Sequence, residues 1–206
     1  MAEAFFQATA WTMDTPKPYG AFHLVLTVLG VSLSIFLARK FSFPERKAGP
    51  DTILFLCGLF LGLTELYKQG FIYYIENGRT YDWWYFPFQL CSVPMYLGLF
   101  IPMVPARIRN VFYLFIQDFG LLGGIMALAE PSGLMHPYWT MTVHGFLWHF
   151  NLIFMGLICA FYNLKTETPK SYLHTIPLFL FCTASAPFVF NDTATTEIYT
   201  LSLHDA

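Results

Sequence analysis

An all-α, polytopic helical membrane bundle is predicted by three observations: 56% of residues are hydrophobic, only 12% are charged, and the apolar runs have membrane-span length. A soluble domain carries about a quarter charged residues, whereas mean hydropathy here is +0.50. The 206 residues have room for about six spans of roughly 20 residues each. Aromatics reach 19%, with 23 phenylalanines, a content that suits lipid-facing and interfacial positions.

In order, the runs fall at about 20–38, 52–72, 83–104, 111–129, 138–163 and 172–190. Lys and Arg set their orientation. Arg39, Lys40, Arg46 and Lys47 follow the first run, Arg107 and Arg109 the third, and Lys165 and Lys170 the fifth. The alternate loops hold only Arg79 and, at a helix end, Lys68. The positive-inside rule therefore places the odd-numbered loops in the cytoplasm and the N-terminus outside. The opening residues, 1–20, lack a basic segment before an apolar core and read as an interfacial lead-in, not a secretory signal. Residues 1–190 form one integral membrane domain. The polar tail 191–206 breaks from the Phe-rich sequence before it and resembles a translated sequencing adapter. It is expected to be non-native, with the true C-terminus truncated, and His204 and Asp205 receive no role.

The third run is the unusual one. In WWYFPFQLCSVPMYLGL (83–99), Pro87 and Pro94 interrupt an apolar helix around Gln89 and Cys91. A proline ring removes a backbone donor and clashes with the preceding turn. In lipid, such a break survives only beside protein or a cavity. At 1.5 Å per residue, Cys91 lies about 12 Å below the outer end, with His144 roughly 9 Å and His149 roughly 16 Å down the fifth run. Glu65 and Lys68 sit in the last turns of the second run, and His23 opens the first. Polar groups therefore gather in the outer half of the bilayer, while Asp118 stands in the inner half and reads as a structural hydrogen-bonding group.

Cys57, Cys159 and Cys182 lie among Leu, Phe and Gly and read as inert core thiols. Cys91 has a broken helix, an amide and candidate histidines for company, which makes it the candidate nucleophile. His144 and His149 are functional candidates because burying an ionisable group in a span is costly. Five residues apart, they point about 140° away from each other, which argues against a shared metal. No metal and no cofactor are expected. Trp148 and Asn151 share the face of His144, whereas Gly145 and Gly156 share that of His149 and would let it approach the third run. Glu65 and Lys68 can pair on one helix face. Trp83, Trp84, Tyr85, Tyr138 and Trp139 read as an aromatic belt. No phosphate loop and no basic run suited to nucleic acid is present.

Through FPFQLCSVPMYLGL, GGIMALAEP and HGFLWHFNLI the chain resembles the YwaF family of integral membrane proteins, over about 22–190. That family is similar to vertebrate transmembrane lipid acyltransferases acting on ether lysophospholipids. The resemblance implies catalytic roles for Cys91 and His149. The expected activity is thus acyl transfer through a cysteine thioester with a histidine base, on membrane lipids as partners. Gln89, His144, Glu65, Lys68 and Asn151 are the expected substrate-binding groups, and Gln89 or backbone N–H groups near Pro94 the expected oxyanion donors. A small-solute permease using Glu65 and Lys68, and a non-enzymatic membrane protein, are the other readings. The plasma membrane of a bacterium is the expected location, and the sequence assigns no oligomeric state.

Overall fold

The computed structural model describes residues 2–42, 50–163 and 173–190. Among them the helices are α1 Ala2–Thr9, α2 Ala21–Phe41, α3 Asp51–Phe71, α4 Val93–Phe100, α5 Ala106–Phe115, α6 Leu121–Ala129, α7 Trp139–Asn163 and α8 Ile176–Phe190, and no strand is present among the described residues. The tail 191–206, the basic residues Arg46, Lys47, Lys165 and Lys170, and the Trp84 side chain lie outside this description. Ala21–Phe41, Ala106–Ala129 and Trp139–Tyr162 are long and apolar enough to cross a membrane. The helix α3 has the length but carries Glu65 and Lys68, and Leu90–Met103 and Leu173–Thr183 are shorter apolar helices. The result is a helical membrane bundle in which the third element is much shorter than the expected span 83–104.

That shortening corrects the role of Pro94. The proline lies in the first turn of α4, where its missing N–H would have had no intrahelical partner and its fixed φ suits helix entry. It starts a helix and does not break one. The irregular stretch lies before it, as two 3₁₀ turns, Trp83–Tyr85 and Leu90–Ser92, on either side of Pro87. Cys91 therefore sits on the turn that leads into α4, and a depth counted as helical rise from residue 83 does not apply.

The helix α7 is the central pillar. Ser34 of α2 donates to the Phe150 carbonyl at 3.2 Å, and a Cβ on Gly30 would stand 2.1 Å from the Phe150 ring, so glycine is what lets α2 lie against it. A Cβ on Gly156 would meet Leu121 of α6 at 2.8 Å. On the other side, Gly58 of α3 and Gly98 of α4 face each other so closely that a Cβ on Gly98 would fall 2.7 Å from the Leu54 carbonyl. Small residues at such crossings allow backbone-to-backbone packing, the main source of helix association in lipid.

The two ends of the bundle are distinct. At one, Asp51 binds both Arg109 and Tyr113, and Phe41 packs on Phe154. At the other, residues 12 and 138 form an isolated β-bridge, and Trp139 N–H donates to the Trp11 carbonyl at 2.9 Å. There α1 packs on Tyr67 and Tyr74, Glu3 pairs with Arg79, and His23 Nε2 donates to the Leu128 carbonyl at 3.0 Å. The lead-in expected for residues 1–20 is thus a short helix laid on the bundle. Two π-helical segments, Ile72–Glu76 and Ile116–Gly120, interrupt otherwise α-helical stretches.

Candidate functional site

Because α4 starts only at Val93, the space above its first turn is lined by irregular chain on one side and by α3, α6 and α7 on the others. A cavity of about 640 Å³ fills it, and Cys91, His149, Gln89, His144, Glu65 and Lys68 all line it. Six of the seven sequence-derived site residues therefore meet in one hollow. Asn151 does not line it. Its Nδ2 donates to the Cys57 carbonyl at 3.2 Å, so it fastens α7 to α3 below the hollow, although its angular position on α7 resembles that of His144.

Cys91 is half-buried, whereas Cys57, Cys159 and Cys182 are buried. The Cys91 thiol donates to Gln89 Oε1 at 3.7 Å, and its carbonyl accepts from Trp148 Nε1 at 3.4 Å, which pins the turn to α7. Pinned there, the cysteine stands on the 3₁₀ turn that runs into the N-terminal end of α4.

His149 Nδ1 donates to the Gly145 carbonyl at 2.7 Å. A carbonyl can only accept, so the ring proton belongs on Nδ1 and Nε2 keeps the lone pair a base needs. No hydrogen bond joins His149 to Cys91 among the described residues; the two share the hollow without touching through a hydrogen bond. The glycines expected to bring His149 against the third run act elsewhere. Gly145 faces Leu134, and Gly156 faces α6, while a Cβ on Gly124 of α6 would meet the His149 carbonyl at 2.9 Å. The histidine is thus seated against α6, and α6 in turn touches the cysteine, since a Cβ on Gly123 would lie 3.6 Å from Cys91 Cβ. Its neighbour His144 tilts on Trp148 with ring centroids 5.6 Å apart, and its Nε2 is buried without a hydrogen-bond partner.

Lys68 Nζ lies 2.8 Å from Glu65 Oε1, the expected pair, and Gln69 Nε2 donates to the same oxygen at 2.7 Å. Glu65 is 4% exposed, so the two donors offset its desolvation. Asp118 accepts from Gln117 at 3.2 Å within the π-helical segment, away from the hollow.

Several lining groups carry no site role in the sequence analysis. Nearer the open end of the hollow, His136 Nε2 contacts Glu76 Oε1 at 2.9 Å, and His136 Nδ1 accepts from Tyr138 N–H at 3.3 Å. That second bond places the ring proton on Nε2, which donates to Glu76. Glu130, Ser132 and Tyr85 also line the hollow. Tyr85, expected in the aromatic belt, is exposed like Trp83 and Trp139 and also borders the hollow. Glu76 and His136 stand on a π-helical segment and in a loop, where helical periodicity carries no signal. The only hint was a histidine beside Pro137 and an acid at the end of an apolar helix. Among the described residues no group of three His, Cys, Asp or Glu is placed to hold a metal ion.

The sequence profile of the TMEM164 family matches residues 18–203. The chain belongs to the TMEM164 family. No curated protein and no solved structure matches it. The matched span takes in every helix of the bundle except α1, and with it each residue that lines the hollow. Family and apolar helices together make this an integral membrane protein. The match covers the same segments through which the chain resembles the YwaF family.

Proposed function

We propose that this protein is a membrane-embedded lipid acyltransferase with Cys91 as nucleophile and His149 as base. The observation that carries the reading is that the half-buried cysteine opens onto the same polar hollow as a histidine whose tautomer leaves Nε2 free. Through a water in the hollow, His149 Nε2 takes the thiol proton. The sulfur attacks the carbonyl carbon of an acyl ester, the ester C–O bond breaks, and the departing alkoxide takes the proton from the imidazolium. A lysophospholipid hydroxyl then gives its proton to His149 and attacks the thioester, the C–S bond breaks, and the thiol is restored. Backbone N–H groups of the first turn of α4 would hold the oxyanion. Lys68 is suited to the lipid phosphate. The distribution of Lys and Arg along the sequence supports an extracytoplasmic position for this end of the bundle.

The test is transfer of a radiolabelled acyl chain from phosphatidylcholine to a lysophospholipid by the purified protein. Wild type is expected to accumulate a hydroxylamine-labile acyl-enzyme, and Cys91→Ser to lose both label and transfer. Transfer undiminished in Cys91→Ser overturns the mechanism. A permease reading draws on the Glu65–Lys68 and Glu76–His136 pairs in the same hollow. Solute flux in proteoliposomes that depends on Glu65 and ignores Cys91 would support it instead.

A further inference from the structure

A second depression lies against the lipid-facing flank of α3 and α4, with a volume of about 520 Å³. Its walls are almost wholly apolar, and it shares Glu65, Phe86 and Pro87 with the polar hollow. Leu66, on its rim, is 70% exposed, so the depression opens sideways toward the membrane. Between residues 59 and 69 it follows α3 for about 15 Å at helical rise. Polarity changes along it: Glu65, Gln69 and Tyr81 stand toward the end of the bundle that holds the hollow, and Leu59, Gly62 and Leu99 lie deeper. An amphiphile standing upright in a bilayer has that same order of polarity. The partition at the junction is held in place from both sides, since Gln69 Nε2 donates to the Tyr85 carbonyl at 2.5 Å and Tyr96 Oη to the Pro87 carbonyl at 2.9 Å. At the floor, a Cβ on Gly62 would meet only Leu99 Cδ1, at 3.7 Å. This glycine, unlike Gly58 one turn below it, is not needed for helix contact, and it leaves the floor open.

We propose that this groove is an acyl-chain site, taking one chain of a membrane glycerophospholipid whose head group and ester lie in the adjoining hollow. The proposal names a substrate subsite for the acyl-transfer reading and rests on that reading for the chain's chemical fate, though not for its binding. The groove follows the helix toward the bilayer interior, is apolar where a chain would be, and joins the hollow where an ester would be.

The experiment uses the full chain in phosphatidylcholine nanodiscs doped with a phosphatidylcholine that carries a diazirine midway along one acyl chain. After photolysis the cross-linked peptides are mapped. Labelling of the 59–66 and 95–99 segments is expected to exceed that of the exposed face of α2 severalfold. Gly62→Trp, which fills the floor, should lose most of this excess, and Gly62→Ala should keep it. Leu99→Trp fills the same space from α4 and serves if Gly62→Trp does not fold; if neither folds, the wild-type map decides. Equal labelling of α2 and α3, or an excess unchanged in a folded Trp variant, overturns the proposal. Cys91→Ser separates the two claims: it should leave the cross-link in place while abolishing transfer. A groove that labels normally in a Cys91→Ser protein that still transfers acyl groups would keep the site and discard the cysteine mechanism.

Discussion

The two ends of the bundle are built from the same helices and differ in how they are closed. At the Asp51 end, α3 and α5 are joined by Asp51, Arg109 and Tyr113, and Leu54, Phe115, Ile158 and Cys159 belong to one buried apolar cluster. At the α1 end, chain that would complete α4 is instead two 3₁₀ turns around Pro87. One face of the bundle therefore lacks a helical wall, and the space fills with side chains that can hydrogen-bond. Shortening one helix is enough to make a polar hollow in an apolar bundle, provided that neighbouring backbones still meet below it. Gly58 and Gly98 supply that contact.

The largest effect should come from the hollow's chemistry. Cys91→Ser and His149→Gln are each expected to lower acyl transfer by about a thousandfold, the usual scale for losing a nucleophile or a positioned base. Thermal unfolding should shift little, since neither side chain holds helices together. A large drop in Tm with both variants would mean that these groups are structural, and the contrast between the two ends would lose its functional meaning.

Next is the closure beneath the hollow. Gly98→Val would force side-chain carbon to within 2.7 Å of the Leu54 carbonyl, a backbone atom that cannot turn aside. Overpacking of this kind costs about 1–3 kcal/mol, and here it should also part α3 from α4 and lower activity through the fold. Gly62→Ala, one turn above Gly58 on α3, should be nearly neutral. Denaturation in detergent compares the two, and equal destabilisation would contradict the closure argument.

How much of this was legible in the sequence follows from the same contrast. Where a helix runs unbroken, spacing and apolarity gave nearly the right bounds, 20–38 for Ala21–Phe41 and 138–163 for Trp139–Asn163. Between residues 76 and 93 periodicity ends, and with it the power to place side chains. Pro94 was read as a break because an apolar run surrounds it, yet proline in a first turn and proline in an interior look alike until the helix start is known. Asn151 failed for a related reason. Seven residues from His144 it has a similar angle, but the hollow has already ended at that depth and α3 has closed in. Glu76 and His136 went unread because each lies where the backbone departs from the α-helix. The polar gathering itself was readable, since Glu65, Lys68, His144 and His149 sit on regular helices, where spacing places side chains.

At the Asp51 end a modest effect is expected. Asp51→Asn removes the charge that binds Arg109 and Tyr113 and the acid in the first turn of α3. Both Asp51 and Arg109 are about one-third exposed, so solvent weakens the pair, and a loss of about 1 kcal/mol is the scale for such an ion pair with its dipole contribution. Acyl transfer per folded molecule should be unchanged. A strong loss of activity at full stability would link the two ends and break the division between them.

The smallest effect concerns the rim. Glu130 Oε1 accepts from Ser132 Oγ at 2.5 Å and its Oε2 from Tyr19 at 3.2 Å. These bonds, the one from Ser132 first, hold its carboxyl below the usual value of 4.5. A carboxyl depressed in the folded state adds stability at pH values above its unfolded pKa, and that contribution is lost as pH falls through the folded one. Ser132→Ala should therefore raise the Glu130 titration toward its ordinary value and move the acid limb of the unfolding profile slightly upward in pH. Activity near neutral pH should change little, because Glu130 stays ionised there with or without the serine. If Ser132→Ala instead weakens activity at neutral pH with the acid limb unmoved, the rim acts on the substrate directly, and the hollow's chemistry extends to its mouth.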